Sequence, residues 1–167
     1  MDFLWSPWRY RYIKEGGAQG GCVFCAIAEA PAEMDDENLV VLRGEHNFVV
    51  LNRYPYTSGH AMVIPYQHWG ALTEATEEAL GEMMRWTRRL EGALRNQYRP
   101  EGVNIGMNVG KAAGAGVAGH IHMHALPRWV ADSNFITTIG ETRVLPEELG
   151  VTLEKLRGEL RPALHEG

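Results

Sequence analysis

Three histidines spaced two apart, His120, His122 and His124, separated by Ile121 and Met123, constrain the fold of this chain more than any other segment. In a β-strand successive side chains point to opposite faces, and every second one recurs about 6.6 Å further along. The spacing therefore predicts one strand that presents three imidazoles on one face and buries Ile121, Met123 and Ala125 on the other. Such a row of rings has two readings. Neutral imidazole is the commonest protein metal ligand, which suggests a His-rich metal site. With an ordinary pKa of roughly 6.5 it is also a nitrogen nucleophile that is largely uncharged at neutral pH.

Immediately upstream, Gly110 to Gly119 is rich in glycine and alanine. Glycine lets backbone N–H groups approach an anion with no side chain in the way, so the stretch reads as a phosphate cradle, with a plain flexible loop as the alternative. A net charge of −5 argues against nucleic acid or an anionic membrane as partner, because both demand a basic face. Any phosphate must then be held locally. Displacement at phosphorus needs positioning and charge neutralisation more than elaborate covalent machinery. A nucleophilic imidazole beside an anion seat supplies both, through a covalent intermediate that water or another acceptor can discharge.

The 167 residues suit one domain, and 45% hydrophobic against 22% charged residues is a globular balance. No apolar run approaches the ~18 residues that span a bilayer, and the start resembles no signal peptide, so the expected address is the cytoplasm. Residues 1–21 read as an aromatic, arginine-bearing arm running into a glycine-rich hinge. It covers either its own domain or a second subunit. Apolar or β-branched runs at 38–43, 47–52 and 60–65, parted by turn formers, predict consecutive antiparallel strands. Leu80, Met83, Met84, Leu90, Leu94 and Tyr98 fall on one face of a long helix stopped by Pro100 and Gly102. Strand-like runs at 103–108 and 120–126 follow. The expected class is α+β, an antiparallel sheet with one long helix. Residues 146–167 read as a charged, helical tail without evident chemistry, and His46 and His60 as structural residues.

Cys22 and Cys25, the only cysteines, stand two residues apart. In a reduced compartment such a pair suggests half of a tetrahedral Zn(II) site, a redox dithiol, or two inert buried thiols.

The segment 120–127, together with 50–53, 59–65 and 106–110, resembles the histidine-triad superfamily, over roughly residues 22–129. Leu4–Arg9, Pro127–Trp129 and Asp132–Phe135 resemble its bacterial branch related to diadenosine tetraphosphate phosphorylases. The resemblance implies a histidine-triad domain at 22–145 whose sheet extends across a homodimer. It also implies cleavage of a dinucleoside polyphosphate, with inorganic phosphate or water as acceptor. By that resemblance His122 attacks the α-phosphorus and His124 binds phosphate or assists the leaving group. Asn52 falls where ribose is held, and Asn108 with Gly114, Ala115, Gly116 and Val117 where phosphate oxygens are held. The implied zinc ligands are Cys22, Cys25, His68 and His120. Two rivals are hydrolysis of nucleoside phosphoramidates or adenylyl conjugates, and a zinc-stabilised nucleotide-binding protein without turnover.

Overall fold

The structure is a computed structural model that describes residues 21–130, 132 and 145–161. Apart from Gly21, the expected N-terminal arm lies outside the described residues. So do residues 133–135 of the resemblance and the end of the expected tail.

Five strands, β1 (Val40–Arg43), β2 (Asn47–Leu51), β3 (Ala61–Pro65), β4 (Gly102–Gly106) and β5 (Met123–Arg128), form one sheet in the order β1-β2-β3-β5-β4. All four pairings are antiparallel. With three helices, α1 (Val23–Glu29), α2 (Glu77–Tyr98) and α3 (Leu149–Leu160), the described residues are α+β, as expected. No helix among them is long and apolar enough to cross a membrane.

The alternation of β2 and β3 builds a core on each side of the sheet. Val49, Leu51, Ala61 and Val63 pack with Met83, Trp86, Leu90 and Leu94 of α2. Val50, Met62 and Ile64 face the other way, with Phe24 of α1. Met62 is opposite His124 in the β3–β5 register, so His124 belongs to the α1 side. Ile121, Ala125 and the partly buried Met123 lie in the α2 core.

Two helices differ in detail from the sequence pattern. Met84 of α2 is 55% exposed and Trp86 takes the buried position instead. The helix begins at Glu77, where the Thr76 hydroxyl accepts from Ala79 N–H, and stops at Arg99 in the left-handed region. The C-terminal segment carries α3 into the core. Leu153, Leu156 and Leu160 of α3 are buried in the α2-side core, and Arg157 Nη2 donates to Val40 O at 2.8 Å.

The predicted strand at 120–126 is shifted. Extending the β3–β5 register would put Pro65 opposite Ile121, and proline has no N–H to offer a ladder. The chain leaves the sheet there: Ile121 N–H donates to Trp69 O at 2.7 Å. His120 and His122 therefore precede β5, and only His124 lies in it.

Candidate active site and metal-binding group

The turn between β2 and β3 ends on Gly59, whose φ of +84° and crowding by Leu94 and Tyr98 leave no room for a side chain. That turn delivers His60, buried, to the start of β3. Loop 107–119 returns the chain to His120. These segments, with α1, assemble two adjoining groups.

One group gathers at the start of α1. His120 Nδ1 lies 3.3 Å from Cys22 Sγ and 3.7 Å from Cys25 Sγ, and His68 Nδ1 lies 3.2 Å from Cys25 Sγ. The four donor atoms all fall within 4.8 Å of one another. His120 Nε2 is 2.9 Å from Pro65 O, and a carbonyl only accepts, so Nε2 carries the proton and Nδ1 offers its lone pair toward the thiols. This is the tautomer of a metal-ligating histidine anchored on a carbonyl. Burial, reinforced by neighbouring Cys22, pushes the Cys25 thiol up from its ordinary value. A divalent cation would reverse that by favouring thiolate. Both cysteines are free. Two thiols and two imidazoles make a donor set that could hold a metal ion, and its chemistry suits Zn(II).

The second group lines a cleft of about 850 Å³, mouth included, on the α1 side of the sheet. His122 and His124 both line it, their ring centroids 4.8 Å apart. Hydrogen bonding assigns their protons. His122 Nδ1 is 2.8 Å from the carbonyl of His120, so it donates there and leaves Nε2 as the ring's unprotonated nitrogen. His60 Nδ1 accepts from the Tyr56 N–H at 3.2 Å, so the neutral His60 ring carries its proton on Nε2. That nitrogen lies 2.9 Å from His124 Nδ1 and donates to it, which places the His124 proton on Nε2. A bare nucleophilic nitrogen thus neighbours an N–H donor.

Burial keeps both rings neutral. It holds His122 below the ordinary imidazole range despite the opposing bond to the His120 carbonyl. Burial, then the neighbouring His122, pushes His124 down to about 4. His120 is lowered as well, by burial first, with the Pro65 carbonyl opposing.

Of the residues singled out from sequence, His122, His124, Asn52, Asn108, Gly114, Gly116 and Val117 all line the cleft. Ala115 does not; its N–H turns back to Gly110 O. Asn52 Oδ1 accepts from Tyr54 N–H at 3.0 Å, and its Nδ2 lies 3.4 Å from His60 Nδ1. Sequence reasoning missed His60, whose signal was present: it directly precedes β3, two residues from Met62. It also missed Val23, Phe24 and Ile27, which give the cleft an apolar wall. They lie on a helix of seven residues, too short to show periodicity.

A family model described as HIT domain matches residues 33–130. A protein of Mycobacterium tuberculosis strain H37Rv named AP-4-A phosphorylase is 39% identical over 164 residues, covering 95% of this chain and 84% of its own length. Among solved structures, a Zn-bound histidine triad family protein from Mycobacterium smegmatis superposes with a TM-score of 0.68 at 29% identity, covering 88% of this chain and 98% of that one. A hypothetical histidine triad nucleotide-binding protein from Sulfolobus tokodaii gives 0.66 at 26% identity, with 84% and 93% covered.

Proposed function

The chain belongs to the HIT domain family, and on that premise we propose that it is a nucleotide-processing enzyme that cleaves dinucleoside polyphosphates such as diadenosine tetraphosphate. His122 Nε2 attacks the α-phosphorus. A P–N bond forms as the P–O bond to the leaving nucleotide breaks, and the His124 Nε2–H donates to the departing oxygen or holds a phosphate oxygen. An oxygen of inorganic phosphate or water then attacks the same phosphorus, the P–N bond breaks, and His122 is regenerated. Phosphate as acceptor releases a nucleoside diphosphate; water releases a monophosphate.

The observation that carries this reading is the complementary protonation of the two rings, His122 bare at Nε2 and His124 protonated there. The 39% identical relative named AP-4-A phosphorylase supports the substrate class. Asn108 and, from the loop, Gly114, Gly116 and Val117 hold phosphate oxygens in this reading. Asn52 Oδ1 has a second lone pair for a ribose hydroxyl. The apolar wall of α1 receives the base.

Cys22, Cys25, His68 and His120 would hold Zn(II) as a structural centre. Zinc there supplies stability and a fixed position for His120, and takes no part in the displacement. The Zn-bound relative from Mycobacterium smegmatis supports it. The catalytic domain in this reading is residues 22–145, with α3 of the segment 146–167 packed into its core and the arm 1–21 preceding it. The working form is a homodimer whose sheet continues through β4, a sheet edge with Ile105 exposed.

The test is to incubate purified protein with diadenosine tetraphosphate with and without inorganic phosphate. Nucleoside diphosphate formed only with phosphate identifies phosphorolysis, and monophosphate formed without it identifies hydrolysis. Absence of any cleavage, with phosphoramidates turned over instead, would overturn the substrate assignment.

A further inference from the structure

Helix α1 belongs to both groups at once. Cys22 and Cys25 turn to the four-donor group, while Val23, Phe24 and Ile27 line the cleft. Phe24 touches both sides: its ring sits edge-on to His120 at 5.6 Å and to His122 at 5.0 Å.

The helix has little of its own to hold it. Seven residues are well below the ~12–15 at which an isolated helix becomes even marginal in water. Its first turn has no side-chain cap and no acidic residue. Its last turn is anchored from the sheet. Arg43 Nη2 donates to Ile27 O at 3.1 Å and Ala30 O at 3.2 Å, its Nη1 donates to Ala28 O at 3.3 Å, and Asp35 holds the guanidinium at 2.8 Å. The clamp on the C-terminal end is thus built entirely from protein groups. At the N-terminal end the polar anchorage among the described residues is the donor group, with Phe24 supplying the apolar contact.

We propose that α1 couples the two groups: a divalent metal held by Cys22, Cys25, His68 and His120 pins the first turn, fixes the apolar wall and raises nucleotide affinity. This rests on the reading of the cleft as a nucleotide site. Linkage makes the coupling reciprocal, so bound nucleotide raises metal affinity by the same factor. The chemical basis is positional. A first turn free to fray carries Val23 and Phe24 with it, and part of the binding energy of a nucleoside is then used to order the helix.

The test uses the full chain loaded with zinc. Zinc affinity is measured by competition with a chromophoric chelator at zero and at saturating adenosine 5′-monophosphate, and the affinity for that nucleotide is measured with and without zinc. The two ratios should agree and be at least about fivefold. Backbone hydrogen exchange on the zinc-free protein should show protection lost at the amides bonded to the first turn, from Ala26 on, and kept in β2 and β3. Ratios of one, with both ligands bound, overturn the coupling and leave the cleft assignment standing. Loss of protection throughout the sheet also overturns it, because zinc would then act on global folding. Zinc-loaded protein that binds no nucleotide overturns the functional reading itself.

Discussion

His120 and His122 are two residues apart, both buried, and chemically opposite. His120 commits its Nε2 proton to the carbonyl of Pro65 and turns Nδ1 to two thiols. His122 commits its Nδ1 proton to the carbonyl of His120 and keeps Nε2 bare beside a cleft. The same side chain becomes a metal donor or a nucleophile according to which ring nitrogen a backbone carbonyl takes up. The carbonyl of one histidine fixes the tautomer of the next, so the two groups share a backbone as well as a helix.

The strongest way to break this comparison is to remove the ring on the cleft side. His122→Gly should lower turnover by on the order of a thousandfold or more, as loss of a nucleophile does, while metal content by atomic absorption is unchanged. His60 is the sharper probe of proton placement. His60→Phe takes away the donor that places the His124 proton on Nε2. Turnover should fall by roughly 10- to 100-fold, as it does when an orienting partner is lost, with a changed acidic limb in the pH–rate profile. A purely structural role would lower stability and leave that profile in place.

On the other side, Cys22→Ser should abolish stoichiometric zinc and cost roughly 3 kcal/mol, seen as a melting temperature about 6–12 °C lower. Turnover at saturating nucleotide should change by less than about tenfold, because the donor group touches no reacting atom.

Acid should separate the groups further. His124 titrates at about 4 in the folded chain against 6.5 for the free side chain, so between those values the unfolded chain binds the proton and the folded one does not. Stability is therefore lost as pH falls from about 6.5 toward 4, and that part of the loss levels off below. Urea unfolding at pH 7 and pH 5 measures it, and His124→Gln should reduce the difference while leaving the part due to His120 and His122, which burial also lowers.

How much of this could be read from the sequence differs between the two regions. The period-two spacing held for His122 and His124, which both line the cleft with Ile121 and Ala125 buried opposite, but His120 lies outside the cleft and turns to the thiols. The pair Cys22 and Cys25 signalled a donor group, and the family resemblance added His68 and His120. Local spacing does not carry contacts made across the sheet. His60 reaches His124 only through the β3–β5 pairing, from 64 residues away. The strand was misplaced because Pro65, which ends the ladder, is on a different strand from the histidines. Loop 110–119 showed its composition but not which residues face inward. The smallest prediction tests that last point: Ala115→Ser, outside the cleft, should change kcat/KM less than about twofold, whereas Asn108→Ala, on its wall, should lower it about tenfold or more.

The central claim is that the ring nitrogen left bare by the His120 carbonyl is the one that takes the nucleotidyl group. Rapid acid-free quenching of the enzyme with diadenosine tetraphosphate, followed by digestion and mass spectrometry, tests it directly. The account predicts an adenylyl mass addition on the peptide containing residues 120–124, localised to His122 and absent from the His122→Gly variant. An enzyme that turns over with no adduct on any histidine, or with the adduct on His124 or His60, would contradict it.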